Sequence, residues 1–217
     1  MADTANYREM EPLPWFHTFC ALFVLTLGRL YFRLTIEGRE HIPEGGAVLA
    51  ISNHGSNIDP PLVGAVLRKL RPRIMGKQDL WDSKALAWAM NRLGGFPVDR
   101  QAKADRFAYQ HSLKVLKEGH ALALFPEGAR TKDGELQEFE AGAGRFAMVR
   151  DDIRILPMRI RGNWEAWGPG KKLPRPNKIS RRIGAPFRVD ELEGLPTDKK
   201  GLYEAITEEM FKRISQL

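Results

Sequence analysis

His54 and Asp59, five positions apart, are residue types that can move a proton off a hydroxyl. A neutral imidazole, with a pKa of about 6.5, takes such a proton at neutral pH. A carboxylate on its other ring nitrogen fixes the tautomer and stabilises the imidazolium that forms. On an ideal helix, at about 100° of rotation per residue, two residues five apart face different ways. The pair can therefore meet only across a tight loop, and Gly55, Ser56 and Asn57 supply one. Asp59 has an alternative use. It stands directly before Pro60-Pro61 and the apolar run 62–67, the signature of a helix start with Asp as the cap.

Further polar residues stand at the ends of apolar runs. Residues 47–52 read as a buried strand and lead into Asn53-His54. Residues 121–125 read as another, and Pro126-Glu127-Gly128-Ala129-Arg130 follows. Phe96-Pro97-Val98 precedes Asp99-Arg100, and Ile74-Met75-Gly76 precedes Lys77. Arginine presents a planar fork suited to phosphate oxygens, and Gly128 lets the backbone approach a ligand closely. In open α/β sheets, ligands collect outside the carboxyl ends of the strands. Cations gathered there around a His–Asp pair point to a phosphorylated hydroxyl compound as acceptor.

The elements that must position these residues alternate along the chain. Short strands are expected at 34–38, 73–77, 96–100, 153–160 and 178–183, beside the two apolar ones. Pro97 assigns its strand to a sheet edge or a strand end. Helices are expected at 83–93, with Ser83 as cap and Gly94-Gly95 as stop, at 103–118 with Phe107, Leu113 and Leu116 inward, and at 141–149. Residues 197–217 form a closing helix through Leu202, Ile206, Met210 and Ile214, and 164–177 read as a surface loop. The pattern predicts an α/β domain over 36–217, with a central mixed, largely parallel sheet flanked by helices.

Residues 1–35 form a separate aromatic segment. The stretch 12–28 has no Asp, Glu, Lys or Arg, and Phe16, Phe19, Phe23, Leu27 and Leu30 fall on one helical stripe. Trp15, Tyr31 and Phe32 lie near its ends, and Arg29 and Arg33 follow. Its apolar heart falls short of the ~20 residues a spanning helix needs. It reads as a helix docked in a membrane interface, with a long core helix as the alternative.

Composition narrows the classes. At 43% hydrophobic and 28% charged, the chain can build an ordinary globular core. The single cysteine, Cys20, excludes an intrachain disulfide; it lies in the aromatic helix, away from the polar strand ends, and reads as packing. His17, His41, His54, His111 and His120 are scattered without metal-ligand spacing, so no metal site is expected. No phosphate-binding glycine loop and no Gly-x-Ser-x-Gly elbow is present, and Ser56 is too close to His54 for a nucleophile–base pair. Residues 141–190 hold twelve Lys or Arg against four Asp or Glu, within a chain of net charge +7. That excess reads as a solvated basic face or as a site for an anionic partner. Nucleic acid is one such partner, since Trp164 and Trp167 lie nearby; the aromatic N-terminal helix favours an anionic membrane surface instead, with no nucleic acid.

His54-x4-Asp59, Gly95-Phe96-Pro97-Val98-Asp99-Arg100, Phe125-Pro126-Glu127-Gly128-Ala129-Arg130 and Leu156-Pro157-Met158 occur in that order. Together they resemble the four sequence blocks of the glycerolipid acyltransferases, the 1-acyl-sn-glycerol-3-phosphate acyltransferase (lysophosphatidic acid acyltransferase) family, with the match running over about 38–186. The resemblance implies that His54 is the general base and Asp59 orients it. It implies that Arg100 and Arg130, helped by Lys77, hold the acceptor's phosphate, and that Glu127 and Gly128 shape that site. It implies an acyl thioester of coenzyme A or acyl carrier protein as co-substrate, a lysophospholipid as acceptor, no cofactor, and a place on the cytoplasmic face of the cell membrane. The chain departs from the blocks at Ala129-Arg130-Thr131, where Thr-Arg-Ser is common, and at Glu140-Ala141-Gly142, where a lysine often precedes the glycine. Leu156-Pro157-Met158 replaces the usual Val-Pro-Val. These changes bear on which lysolipid or amino-lipid is accepted more than on the chemistry.

Overall fold

The computed structural model describes residues 6–99 and 105–217. Its seven strands are β1 (Thr35–Glu37), β2 (Val48–Ser52), β3 (Arg73–Lys77), β4 (Gly95–Val98), β5 (Ala121–Leu124), β6 (Arg154–Arg161) and β7 (Ser180–Ile183). They form one sheet in the order β1-β7-β6-β2-β5-β3-β4. Neighbours run parallel except β6 and β7, which pair antiparallel. The expected mixed, largely parallel sheet is therefore present. Pro97 lies in β4, at the sheet edge, where one side of the strand needs no amide donor.

β2 sits at the centre and is buried along its whole length. Alternation divides its side chains between two layers. Val48 and Ala50 share a core with α1 (Pro14–Phe32) and α2 (Asp59–Val66). Leu49 and Ile51 share the other with α4 (Arg106–Lys117), α5 (Gly144–Ala147) and α7 (Lys199–Ser215). Covered on both faces, the strand reads as an unbroken apolar run, which is why it stood out in sequence. The chain leaves β2 into α2 on one face, and leaves its neighbour β5 towards α5 on the other. Adjacent strands whose connections part in this way open a crevice at their carboxyl ends. His54 and the 126–130 loop stand on its two sides.

Several expectations need correction. Asp59 does not cap α2: the N-cap position is Ile58, and the Asp59 side chain turns back to the preceding loop. Ser83 holds the expected N-cap position of α3 (Lys84–Arg92), but its side chain makes no cap bond. In α4 the buried residues are Ala108, His111, Ser112, Val115 and the expected Leu116, with Leu113 packed against the same core; Phe107 is partly exposed, edge-on to Tyr7 at 5.5 Å. Asp105 caps α4 by accepting from the Ala108 amide at 2.9 Å, and the expected start at Lys103 lies outside the described residues. The expected loop 164–177 begins as a helix, α6 (Asn163–Trp167).

Much of the basic excess in 141–190 is spent within the chain. Arg150 pairs with Asp152, Arg182 with Glu37 and Arg188 with Asp190. Lys171 lies 4.4 Å over the Trp164 ring and donates to the Trp164 carbonyl. Arg181 is fully buried.

α1 packs on α2 through Ala21, Leu25 and Phe32. The predicted stripe faces outward instead, with Phe19 at 64%, Phe23 at 62% and Leu30 at 80% exposed. Each such side chain gains about 1.5–3 kcal/mol on leaving water. A contiguous apolar face of this kind marks an interaction surface. The helix is also long and apolar enough, at 19 residues, to pass as a membrane span by length and composition.

Candidate active site

His54 leaves the end of β2 and Asp59 opens α2, and the loop between them folds the two together. His54 Nδ1 donates to Asp59 Oδ2 at 2.9 Å, with His54 only 5% exposed and Asp59 wholly buried. The Gly55 and Ser56 amides donate to the same oxygen at 2.8 and 2.7 Å. Asn163 Nδ2 donates to Asp59 Oδ1 at 2.8 Å. Four donors converging on one buried side chain suit a carboxylate rather than a carboxylic acid.

The imidazole is fixed from other sides as well. Phe125 stacks on it at 4.3 Å between ring centroids. The His54 amide donates to Glu127 Oε1 at 2.9 Å, and its carbonyl accepts from the Thr131 amide at 2.8 Å. Asn53 clasps β6 by donating to the Ile160 carbonyl and accepting from the Ile160 amide. With Nδ1 committed to Asp59, Nε2 is the nitrogen left for a substrate hydroxyl.

Burial pushes the Glu127 carboxyl from 4.5 up to about 7, against the pull of the His54 and Gln137 amides. Gly128 turns the loop at φ +69°, a left-handed conformation that favours glycine, and its amide donates back to Phe125. Arg130 donates to Asn57 Oδ1 at 2.8 Å and is half-buried. Lys77, at the end of β3, is exposed and pairs with Asp79. Arg100 lies outside the described residues.

His54, Lys77 and Arg130 line one groove of about 490 Å³. Its walls come from α1 (Cys20, Ala21, Val24), α2 (Pro60, Pro61, Gly64, Ala65) and β3 (Ile74, Met75, Gly76), so it is mostly apolar away from those three residues, with His17 and Asn57 as further polar lining. Cys20 therefore lines the same groove as His54, contrary to the sequence reading. Ser56 is fully buried, donates to the Trp167 carbonyl and accepts from the Ile58 amide, so its hydroxyl holds the loop. Among the described residues, no group of three or more His, Cys, Asp or Glu could hold a metal ion.

Sequence reasoning did not find Asn163. Its signal was present: Gly162-Asn163 follows β6 at a carboxyl end, as Asn53-His54 follows β2. Gly162 takes φ +79°, and a Cβ there would lie 2.0 Å from the Lys178 carbonyl oxygen, so this close approach also needs glycine.

A family model described as Acyltransferase matches residues 33–161, more than half of the chain. The chain belongs to the Acyltransferase family. This acyltransferase is 24% identical over 201 residues to the 1-acyl-sn-glycerol-3-phosphate acyltransferase of Bacillus subtilis (strain 168), covering 93% of the chain and 96% of that protein. It is 28% identical over 160 residues to the enzyme of that name from Limnanthes douglasii, covering 73% of the chain and 56% of the plant protein. Its fold matches the crystal structure of the 1-acyl-sn-glycerophosphate (LPA) acyltransferase PlsC from Thermotoga maritima. The TM-score is 0.72 at 21% identity, over 92% of this chain and 80% of that one.

Proposed function

We propose that this acyltransferase moves a fatty acyl chain from a thioester, acyl-coenzyme A or acyl-acyl carrier protein, to the 2-hydroxyl of 1-acyl-sn-glycerol 3-phosphate, giving phosphatidic acid for phospholipid synthesis. The observation that carries the reading is one groove that joins three chemistries: a His–Asp pair, two cations and an apolar channel. His54 Nε2 takes the proton from the acceptor hydroxyl as its oxygen attacks the thioester carbonyl carbon. The tetrahedral species collapses, the carbon–sulfur bond breaks, and the thiolate leaves and recovers that proton from His54. Asp59 holds the tautomer and offsets the imidazolium's charge. Arg130 and Lys77 offer charge-assisted bonds to the acceptor's phosphate, the role proposed also for Arg100. The apolar channel takes an acyl chain. Glu127 and Gly128 shape the loop that carries Arg130. Holding both substrates at one surface supplies much of the acceleration. The scheme calls for no cofactor. α1 sets the groove against an anionic membrane at the cytoplasmic face, where lysolipid is presented.

The test is thiol release from acyl-coenzyme A by the purified protein in detergent. Lysophosphatidic acid, glycerol 3-phosphate and lysophosphatidylcholine serve as acceptors, with acyl-acyl carrier protein as the second donor. Release that needs lysophosphatidic acid and disappears in His54→Ala supports the scheme. Release with another acceptor moves the substrate, and full activity in a folded His54→Ala variant removes the base.

A further inference from the structure

Arg181, in the middle of β7, is among the largest side chains that are fully buried. Burying a cation without a partner is among the most expensive placements in a protein. Arg181 nonetheless makes only weak contacts: Nη1 donates to Ser52 Oγ at 3.4 Å and approaches Met158 Sδ at 3.9 Å. Nε and Nη2 have no hydrogen-bond partner among the described residues. Among the described residues no carboxylate forms an ion pair with it, and Asp59 is the acidic group whose charge acts on it.

Its place in the sheet explains that reach. Arg181 pairs across β6 with Ile160, the residue whose backbone Asn53 clasps with both ends of its amide. Ser52, its hydrogen-bond partner, ends β2 two residues before His54. Ile179 and Ile183 flank Arg181 on the same strand face, in the core shared with α1 and α2. The guanidinium therefore lies beside the end of the strand that delivers His54.

We propose that Arg181 is a positioning residue for the His54–Asp59 pair: a fixed buried cation that holds the Asp59 carboxylate charged and limits how readily His54 keeps a proton. The proposal rests on His54 acting as the base. Desolvation lowers Arg181 to about 10, so it stays charged at neutral pH. Other charges face the pair from the elements packed around it. These are Glu127 and Arg130 after β5, Lys77 at the end of β3, and Arg159 on β6, whose charge reaches Glu127. Among these cations Arg181 is the one that is fully buried, so its field is screened least.

The sign follows directly. A positive charge near the pair opposes a second positive charge on the imidazole. Removing it lets His54 hold its proton to higher pH, and the acid limb of the rate profile moves up. The experiment is kcat/KM against pH, from 5.5 to 9.5, for wild type, Arg181→Met and Arg181→Gln, with thermal melts of each. Glutamine keeps polar donors in the core but is shorter and uncharged. Both variants should shift the acid limb up by about one pH unit, a tenfold loss on that limb. The alkaline plateau should stay within about threefold, and the methionine variant should melt no lower than wild type. A limb that stays put in both variants, a plateau loss without a shift, or failure of both to fold would make Arg181 a structural residue and overturn the proposal. His54→Ala is run beside them. If it keeps turnover, the base reading falls and takes this proposal with it; if it is inactive while the limb stays put, this proposal falls alone.

Discussion

Glu127→Gln isolates what it costs the fold to keep a carboxyl in the site loop. Glu127 is 8% exposed, and burial lifts it from 4.5 to about 7. Below pH 4.5 the group is protonated in both folded and unfolded chains, and it costs nothing. As pH rises from there, the unfolded chain gives up this proton while the folded chain keeps it, so stability falls. The fall is complete once pH passes about 7, when the folded carboxyl has ionised as well. At 1.36 kcal/mol per pH unit, the whole loss is bounded at about 3 kcal/mol. Screening at the crevice trims this to about 2 kcal/mol.

Glutamine keeps the carbonyl oxygen that accepts from the His54 amide at 2.9 Å and never ionises. The variant should therefore match wild type closely at pH 5 and exceed it at pH 8. For a chain of this size each kcal/mol moves the melting temperature by about 2–4 °C, so the gap should open to roughly 4–8 °C. Thermal melts by circular dichroism at pH 5, 6, 7 and 8 read it directly. A gap that stays constant with pH, or that favours wild type at pH 8, would show that burial does not govern this carboxyl.

Three other perturbations probe the remaining parts of the groove. Arg130→Ala should raise the acceptor KM by about 10–100-fold with a much smaller change in kcat, the loss of one charge-assisted bond; an unchanged KM would free Arg130 from phosphate binding. Gly64→Leu adds bulk to the α2 wall, where a Cβ meets only the Ile74 Cδ1 at 3.6 Å. At about 0.8 kcal/mol per excluded methylene, two lost methylenes should cut the preference for long over short acyl-coenzyme A about tenfold; an unchanged chain-length profile would place the acyl chain elsewhere. Phe19→Ser with Phe23→Ser removes two exposed rings from α1 and should weaken sedimentation with anionic liposomes about 100-fold without lowering the melting temperature; equal binding would detach α1 from the membrane.

The sheet was legible because its central strands are short, apolar and followed at once by turn residues. β2 and β5 needed nothing beyond local pattern, and their ends carried His54 and Glu127 with them. Strand order was not legible, and that is where the site reading stopped. Asn163 lies 104 positions from Asp59 and reaches it because β6 pairs with β2, a neighbour relation that no local window contains. α6 was hidden by the Pro, Gly and Lys residues after it, which made the whole stretch read as loop. Phe107 was placed inward by helical period, but the N-terminal strap carrying Tyr7 covers that face and lets a half-exposed ring pack there. Cys20 was set apart from the polar strand ends because the position of α1 over β3 depends on tertiary packing alone.

Arg181 shows a different failure. Strand alternation puts Ile179, Arg181 and Ile183 on one face, and both isoleucines are buried. The pattern therefore puts an arginine inside, whereas the sequence reading counts it within the basic excess of 141–190, since arginine is mostly a surface residue. When period and residue type conflict in this way, the period reports geometry and the residue type reports cost. A buried guanidinium with two unpartnered nitrogens is a cost that packing does not offset, since methionine would fill similar space without it. Such conflicts between pattern and chemistry collect where a fold serves its site rather than its own stability. Here the conflict falls on the strand that lies beside β6, two strands from the one that delivers His54.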